Sequence, residues 1–282
     1  MTLNKRNIIT FTIGLIVISV CLSGCSAARH ILARFQSTDH FQIYKNDERI
    51  LFEPGAESFA EKVAEFLPSS IEKIEKFNNK SFQKPIKIYL CSTRGSYSKL
   101  SGSKTSTAVV SSEFFISPTL QQTPKRIPGI LTHELTHLHL QQQIGIFKVS
   151  KLPSWFKEGI ATLVAEGSGA ETVTESEALH AINAGQKFTP NEMGSILFPK
   201  TANSFGLKPH MFYRQSMLFL SYLKNIDNIK FEEFLHSIQN GETFTKSFEQ
   251  TYNSTVGVFW ETFLAVSKTE AYQIINADGR YL

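Results

Sequence analysis

Three cysteines in 282 residues are too few for a disulfide framework, and two of them stand within the first 25 positions. Cys91 is left alone in an apolar, strand-like segment. With no basic neighbour in sequence nearer than Arg94, it reads as a small buried hydrophobe rather than a nucleophile. An excess of one charge is also missing. The chain carries 29 Lys+Arg against 25 Asp+Glu, and removing Lys5 and Arg6 with the N-terminal segment leaves 27 against 25. With no strongly basic stretch, nucleic acid is not an expected partner. There is no internal repeat and no low-complexity tract. The longest apolar run, Ile8 to Val20, is short of the roughly 20 residues that a spanning helix needs.

That run belongs to an address segment. Lys5 and Arg6 supply a basic start, and Leu22-Ser23-Gly24-Cys25 follows the apolar stretch. This sequence resembles a bacterial lipobox. The resemblance implies removal of residues 1–24, acylation of the Cys25 thiol and a mature chain that begins at Cys25. Each buried methylene of the acyl chains contributes about 0.8 kcal/mol, so lipidated Cys25 would hold the protein on a membrane without a spanning helix. The alternative is an uncleaved anchor with an incidental cysteine, and both place the body outside the cytoplasm. In lipoproteins that the segment resembles, a Ser such as Ser26 goes with outer-membrane sorting where the organism has one. Residues 25–40 read as a tether.

Beyond it, more than 200 residues suffice for one large domain or two lobes. Phe41 to Tyr44 and Ile50 to Phe52 read as strands around the polar turn Lys45–Arg49. Phe59, Val63, Phe66, Leu67, Ile71, Ile74 and Phe77 have helical spacing, with Pro68 as an expected break or kink. Pro85 to Leu90 is a strand, Ser92 to Thr107 a loop, and Ala108 to Val110 and Phe114 to Ile116 are two short extended pieces. The last could present free main-chain groups to an extended peptide, or be an ordinary core strand.

The chemistry concentrates at Leu131-Thr132-His133-Glu134-Leu135-Thr136-His137-Leu138, an H-E-x-x-H run. On a helix, His133 and His137 lie about 40° apart, one turn above the other, and neutral imidazole nitrogen suits zinc. Ile127, Leu131, Leu135 and Leu138 fall within roughly 40° of one direction, whereas the two histidines fall near 200° and 240°. One helix thus has a core face and a metal face. Glu134 points about 60° to the other side of His137, where it can serve a water rather than an ion. His139, two positions past His137, is rotated by about 200° and cannot join the same ion. It reads as packed or at the surface, as do His30, His40, His180 and His236, none of which has ligand spacing.

Gln141 to Lys151 reads as a loop, and a second helix begins at Pro153 and contains Glu158, 21 positions after His137. A carboxylate there completes two imidazoles and one oxygen and leaves a coordination position open, as in catalytic zinc sites. The pairing of His-Glu-Leu-Thr-His with Trp155-Phe156-Lys157-Glu158-Gly159-Ile160-Ala161 resembles the gluzincin metallopeptidases, in particular the peptidase MA-like branch of bacterial extracytoplasmic proteins. The resemblance covers roughly residues 85–265. It implies Zn2+ held by His133, His137 and Glu158, with Glu134 as catalytic base toward a metal-activated water. Phe212 to Leu223 looks like the family's C-terminal Tyr-x-x-Ser-x-x-Phe-x-x-Tyr-Leu helix. At its start Tyr213 is an oxyanion-stabilising candidate or an aromatic packing residue, and His210 is a weaker candidate for the same task. Many gluzincins place an acid four positions after the ligand glutamate to orient a zinc histidine. Thr162 stands there instead, leaving that partner unassigned. Trp155 reads as a packing anchor, and Gly159 as a point of close approach between the two metal-bearing helices.

Ser176 to Ala184, Phe231 to Ile238, Phe244 to Tyr252 and Val256 to Ser267 read as further helices, and Thr189 to Lys208 as a loop. The expected fold is α+β and zincin-like. A small mixed sheet with the active-site helix occupies 41–142, and an all-α lobe occupies 143–282, with the ion between them. The expected activity is zinc-dependent hydrolysis of peptide bonds at the bacterial cell envelope, on a peptide or protein substrate. The alternatives are a non-peptidolytic envelope lipoprotein using the fold for binding or assembly, and a zinc amidase acting on cell-wall peptide.

Overall fold

The computed structural model describes residues 32–33, 35–110, 112–191, 194–195 and 198–269. The expected signal segment and Cys25 lie outside them. The architecture is mixed α/β, with one five-stranded sheet in the first half and a second half that is mostly helical. The described residues form two compact units, one drawn from 1–61 and 87–123, the other from 62–86 and 124–282.

In the first unit, β1 (Gln42–Tyr44), β2 (Asp47–Phe52), β3 (Ile88–Leu90), β4 (Thr107–Val110) and β5 (Glu113–Ile116) take the order β1-β2-β3-β5-β4. The β1–β2 turn is tighter than the sequence predicts. Lys45 and Asn46 adopt φ of 42° and 65°, so a two-residue left-handed turn pairs Tyr44 with Asp47. Asp47 and Arg49 are thereby on the strand, and the Arg49 guanidinium donates to both Asp47 oxygens at 2.8 and 2.7 Å.

The possibility that Phe114 to Ile116 offers an open edge is corrected. β5 pairs in parallel with β3 and antiparallel with β4, so both of its edges are committed. Phe114, Phe115 and Ile116 are all buried, and a strand that is apolar on both faces belongs in a sheet interior.

The expected loop at Ser92 to Thr107 holds a helix, α2 (Arg94–Ser101), which follows α1 (Glu57–Asn78) in the chain. Thr93 caps α2 by accepting from the Ser96 amide, and Gly102, at φ 68°, closes it by donating to the Ser98 carbonyl. These caps and the burial of Tyr97 and Leu100 outweigh the low helix propensity of its serines. Pro68 does not break α1, which runs continuously over 22 residues. Phe59, Val63, Leu67 and Ile74 are fully buried along it, and that burial offsets the one backbone bond that proline removes.

Phe41, Tyr89, Cys91, Tyr97, Leu100, Val110 and Phe115 form the core cluster of this unit. Burial and then the nearby Glu53 charge push the Cys91 thiol up to about 12, the state of an inert cysteine. Glu53 is itself buried and accepts from the Ser92 amide (2.7 Å), the Ser92 hydroxyl (2.9 Å), His40 Nε2 (2.9 Å) and the Ser96 hydroxyl. Burial pulls this carboxyl upward, but the bonds from Ser96, His40 and Ser92 outweigh it and hold the group below its ordinary value. Its stabilising contribution is therefore complete above the ordinary carboxylate range and disappears as pH falls through the depressed value. Glu53→Gln is expected to cost about 1–3 kcal/mol in urea unfolding at neutral pH, with the difference from wild type closing in acid.

The second unit carries α3 (Ile127–Ile144), α4 (Ile146–Val149), α5 (Ser154–Val164), α6 (Glu175–Asn183), α7 (Pro209–Ile226), α8 (Asn228–Gln239), α9 (Phe244–Tyr252) and α10 (Val256–Ser267). α3 extends past the expected start of a loop, and α4 adds one more turn. Trp155 anchors an aromatic core, with ring centroids 5.4 to 5.7 Å from Phe188, Phe219 and Phe244, and its Nε1 donates to the Pro190 carbonyl at 3.2 Å. Gly159 does permit a close helix approach, but the partner is α7 rather than α3. A Cβ there would lie 2.9 Å from Leu220 Cδ1 and 3.0 Å from Ser216. α3, α5 and α7 all belong to the second unit. No helix among the described residues is long and apolar enough to cross a membrane.

Candidate metal centre

Ile127, Leu131, Leu135 and Leu138 are completely buried along one stripe of α3. Burying that stripe turns the opposite face, with His133 and His137 one turn apart, toward α5. α5 brings in Glu158. The His133 and His137 Nε2 atoms are 3.3 Å apart, and each lies 3.5 Å from Glu158 Oε2. Ligands held at about 2.0–2.1 Å around a tetrahedral ion stand about 3.3–3.4 Å from one another. The 3.3 Å side has that spacing, and the two 3.5 Å sides are slightly longer. Among the described residues, His133, His137 and Glu158 form a group that could hold a metal ion.

His133 Nδ1 lies 3.1 Å from the Ser168 carbonyl, which can only accept, so this contact favours a proton on Nδ1 and aims Nε2 at the triangle. Burial acts to lower the His133 pKa, but the bond to Glu158 and the charges of Glu134 and Glu158 outweigh it and the net shift is upward. Burial acts to raise Glu158; the His137 charge and the bonds to both histidines reverse this and hold the carboxyl well below its usual range. A carboxylate and two basic imidazoles converging on one point are the electrostatics of a cation site.

The Ser168 carbonyl occupies the role for which the sequence offers no residue. Thr162 is fully buried and takes no part in orienting an imidazole; its hydroxyl has no hydrogen-bond partner among the described residues. Sequence reasoning also missed Gly169, which adopts φ 92° and whose Cβ would fall 2.6 Å from His133 Nδ1. The one available signal was the Gly167-Ser168-Gly169 alternation, since paired glycines mark close backbone approach.

Glu134 is half-buried beside His133, and its charge acts on both His133 and Tyr213. Tyr213 lies with its ring stacked over His133, centroids 6.0 Å apart and planes inclined by 27°. Burial, the charges of Glu158 and Glu134, and a hydrogen bond with Glu158 push its phenol well above the ordinary value. The phenol therefore stays protonated and is a hydrogen-bond donor at the edge of the triangle.

His210 is engaged elsewhere. Its Nδ1 accepts from the Thr172 amide at 3.2 Å and pairs with the Thr172 hydroxyl at 2.7 Å. His139 is buried, with Nε2 donating to the Lys80 carbonyl at 2.9 Å and its ring edge-on to Phe82. His40 and His236 pair with Glu53 and Asn240 respectively. No protein-family model matches the chain, and no curated protein matches it.

Proposed function

We propose that this protein is a zinc metallopeptidase of the gluzincin type, held at the bacterial cell envelope by a lipidated Cys25 and acting on a peptide or protein substrate. The observation that carries the reading is the triangle of His133 Nε2, His137 Nε2 and Glu158 Oε2, with sides of 3.3 to 3.5 Å. Two nitrogens and one oxygen suit zinc and leave room for a fourth ligand. Zinc bound there supplies Lewis acidity, polarising a carbonyl and lowering the pKa of a water.

The remaining work falls to side chains. Glu134 accepts a proton from the attacking water at its carboxylate while the water oxygen bonds to the scissile carbonyl carbon. As the C–N bond breaks, the same proton passes to the leaving amine. Tyr213, kept protonated by its surroundings, donates to the negative charge that develops on the carbonyl oxygen. Glu158 stays ionised and needs no proton to be released before it can ligate. No covalent intermediate with the chain is required.

Elemental analysis of the purified protein, paired with cleavage of a diverse peptide library, tests the reading. About one zinc per chain and chelator-sensitive cleavage are expected. Bound zinc without cleavage would move the protein to a binding or assembly role, and absence of metal affinity would sink the proposal altogether.

A further inference from the structure

Residues 165–174, between α5 and α6, do more than connect two helices. α5 closes with Glu166 at φ 52° and the Gly167 amide on the Thr162 carbonyl at 2.8 Å. The chain then turns through Gly167 and Gly169, both at φ 92°, and delivers the Ser168 carbonyl to His133 Nδ1. A Cβ on Gly129 would collide with the Ser168 side chain, and one on Gly167 would lie 2.5 Å from Arg214 Nη1. The segment is thus threaded between α3 on one side and the Arg214 guanidinium on the other.

Arg214 follows Tyr213 on α7. It donates from Nε to the Val173 carbonyl at 2.9 Å and from Nη2 to the Gly167 and Ala170 carbonyls at 3.2 and 3.3 Å. Two of these acceptors flank Ser168 on either side. The side chain is only 11% exposed, so the three bonds form where water competes poorly. A planar guanidinium presents donors in fixed directions, which a lysine ammonium does not. Other side chains tie the segment as well: Lys73 to Glu166 at 2.9 Å, Arg126 to Glu171 at 3.2 Å, and Thr172 to His210. Within it the Ser168 amide donates to the Ala165 carbonyl at 3.1 Å and the Gly169 amide donates to the Glu171 carboxylate, and Arg214 adds to these a hold on the Gly167 and Ala170 carbonyls from α7.

We propose that Arg214 is a positioning residue for the metal centre. By fixing the carbonyls around Ser168 it holds the Ser168 acceptor against His133 Nδ1, and so sets both the tautomer of that ring and the direction of its Nε2 lone pair. The inference rests on the reading of His133, His137 and Glu158 as metal ligands. Outer partners of this kind govern affinity because a ligand nitrogen with the wrong tautomer, or a freely turning ring, must be reset each time an ion binds.

The test compares wild type with Arg214→Met and Arg214→Lys, all as full chains. In the metal-free protein, the ring-nitrogen NMR shifts of His133 are expected to report a proton held on Nδ1. Arg214→Met is expected to show mixed tautomers and a zinc affinity, measured against a competing chelator, about 10–100-fold weaker, while retaining cooperative unfolding. Arg214→Lys should fall between the two and decides the matter if the methionine variant fails to fold. A folded variant with the His133 tautomer and the zinc affinity both unchanged would overturn the proposal. Failure of the wild type to bind zinc would instead remove the peptidase reading, with the metal-free ring spectra still deciding the role of Arg214.

Discussion

Glu134→Gln is expected to abolish peptide cleavage while leaving zinc bound. The substitution preserves size and hydrogen-bonding shape at a half-buried position of α3 and removes only the ability to take a proton. General-base catalysis by a positioned carboxylate contributes about 10²–10⁴-fold, so a loss of that order in kcat/KM is expected. Glu134 is not a corner of the triangle formed by His133, His137 and Glu158. Zinc stoichiometry and thermal midpoint should therefore stay close to wild type. Cleavage that survives the substitution would show that another group takes the proton, and the mechanism given above would fall.

The second large effect is expected at Glu158. It is the one anionic donor, and it reaches both histidines at 3.5 Å from a helix that contributes no other ligand. Complete tetrahedral zinc sites in small domains bind with about 10–16 kcal/mol, so one donor in four is worth about 3 kcal/mol and its loss about 10²–10³-fold in affinity. Glu158→Ala should lose zinc by that factor and lose cleavage with it. Thermal unfolding with and without added zinc supplies the measurement. A ligand that binds only the folded state raises its stability by mass action, so wild type should shift upward with zinc and Glu158→Ala should barely respond. An unchanged zinc response in the variant would mean that the ion is held elsewhere.

Where residue type alone carries the physics, the sequence was legible. The helices at Phe244–Tyr252 and Val256–Ser267 lie within their expected bounds because strong apolar spacing ends at Asn253 and Lys268, positions that leave the helix. The helix expected from Ser176 begins at Glu175, after a Thr174–Glu177 capping box that is written in the sequence. The triangle was legible for the same reason, since two histidines at helical spacing and a later carboxylate are side-chain facts. Trp155 as an anchor follows from its size. The harder features depend on backbone. The acceptor for His133 is the Ser168 carbonyl, and a main-chain carbonyl has no letter of its own in the sequence. The position of β5 inside the sheet arises from pairing with β3 across some two dozen intervening residues, which no local pattern reports. α2 was hidden because its stability comes from Thr93 and Gly102 at its ends rather than from its composition. The turn at Lys45 and Asn46 was overestimated because charged residues on a short strand look like loop.

The two histidines, Glu158, Tyr213 and the segment around Ser168 all lie within one compact unit, and the sheet supplies none of the groups described at the ion site. Every donor of the group that could hold an ion is therefore supplied by one unit of the chain. The spacing of the three donor atoms, and Gly169, whose missing side chain leaves room for the His133 ring, tolerate almost no change.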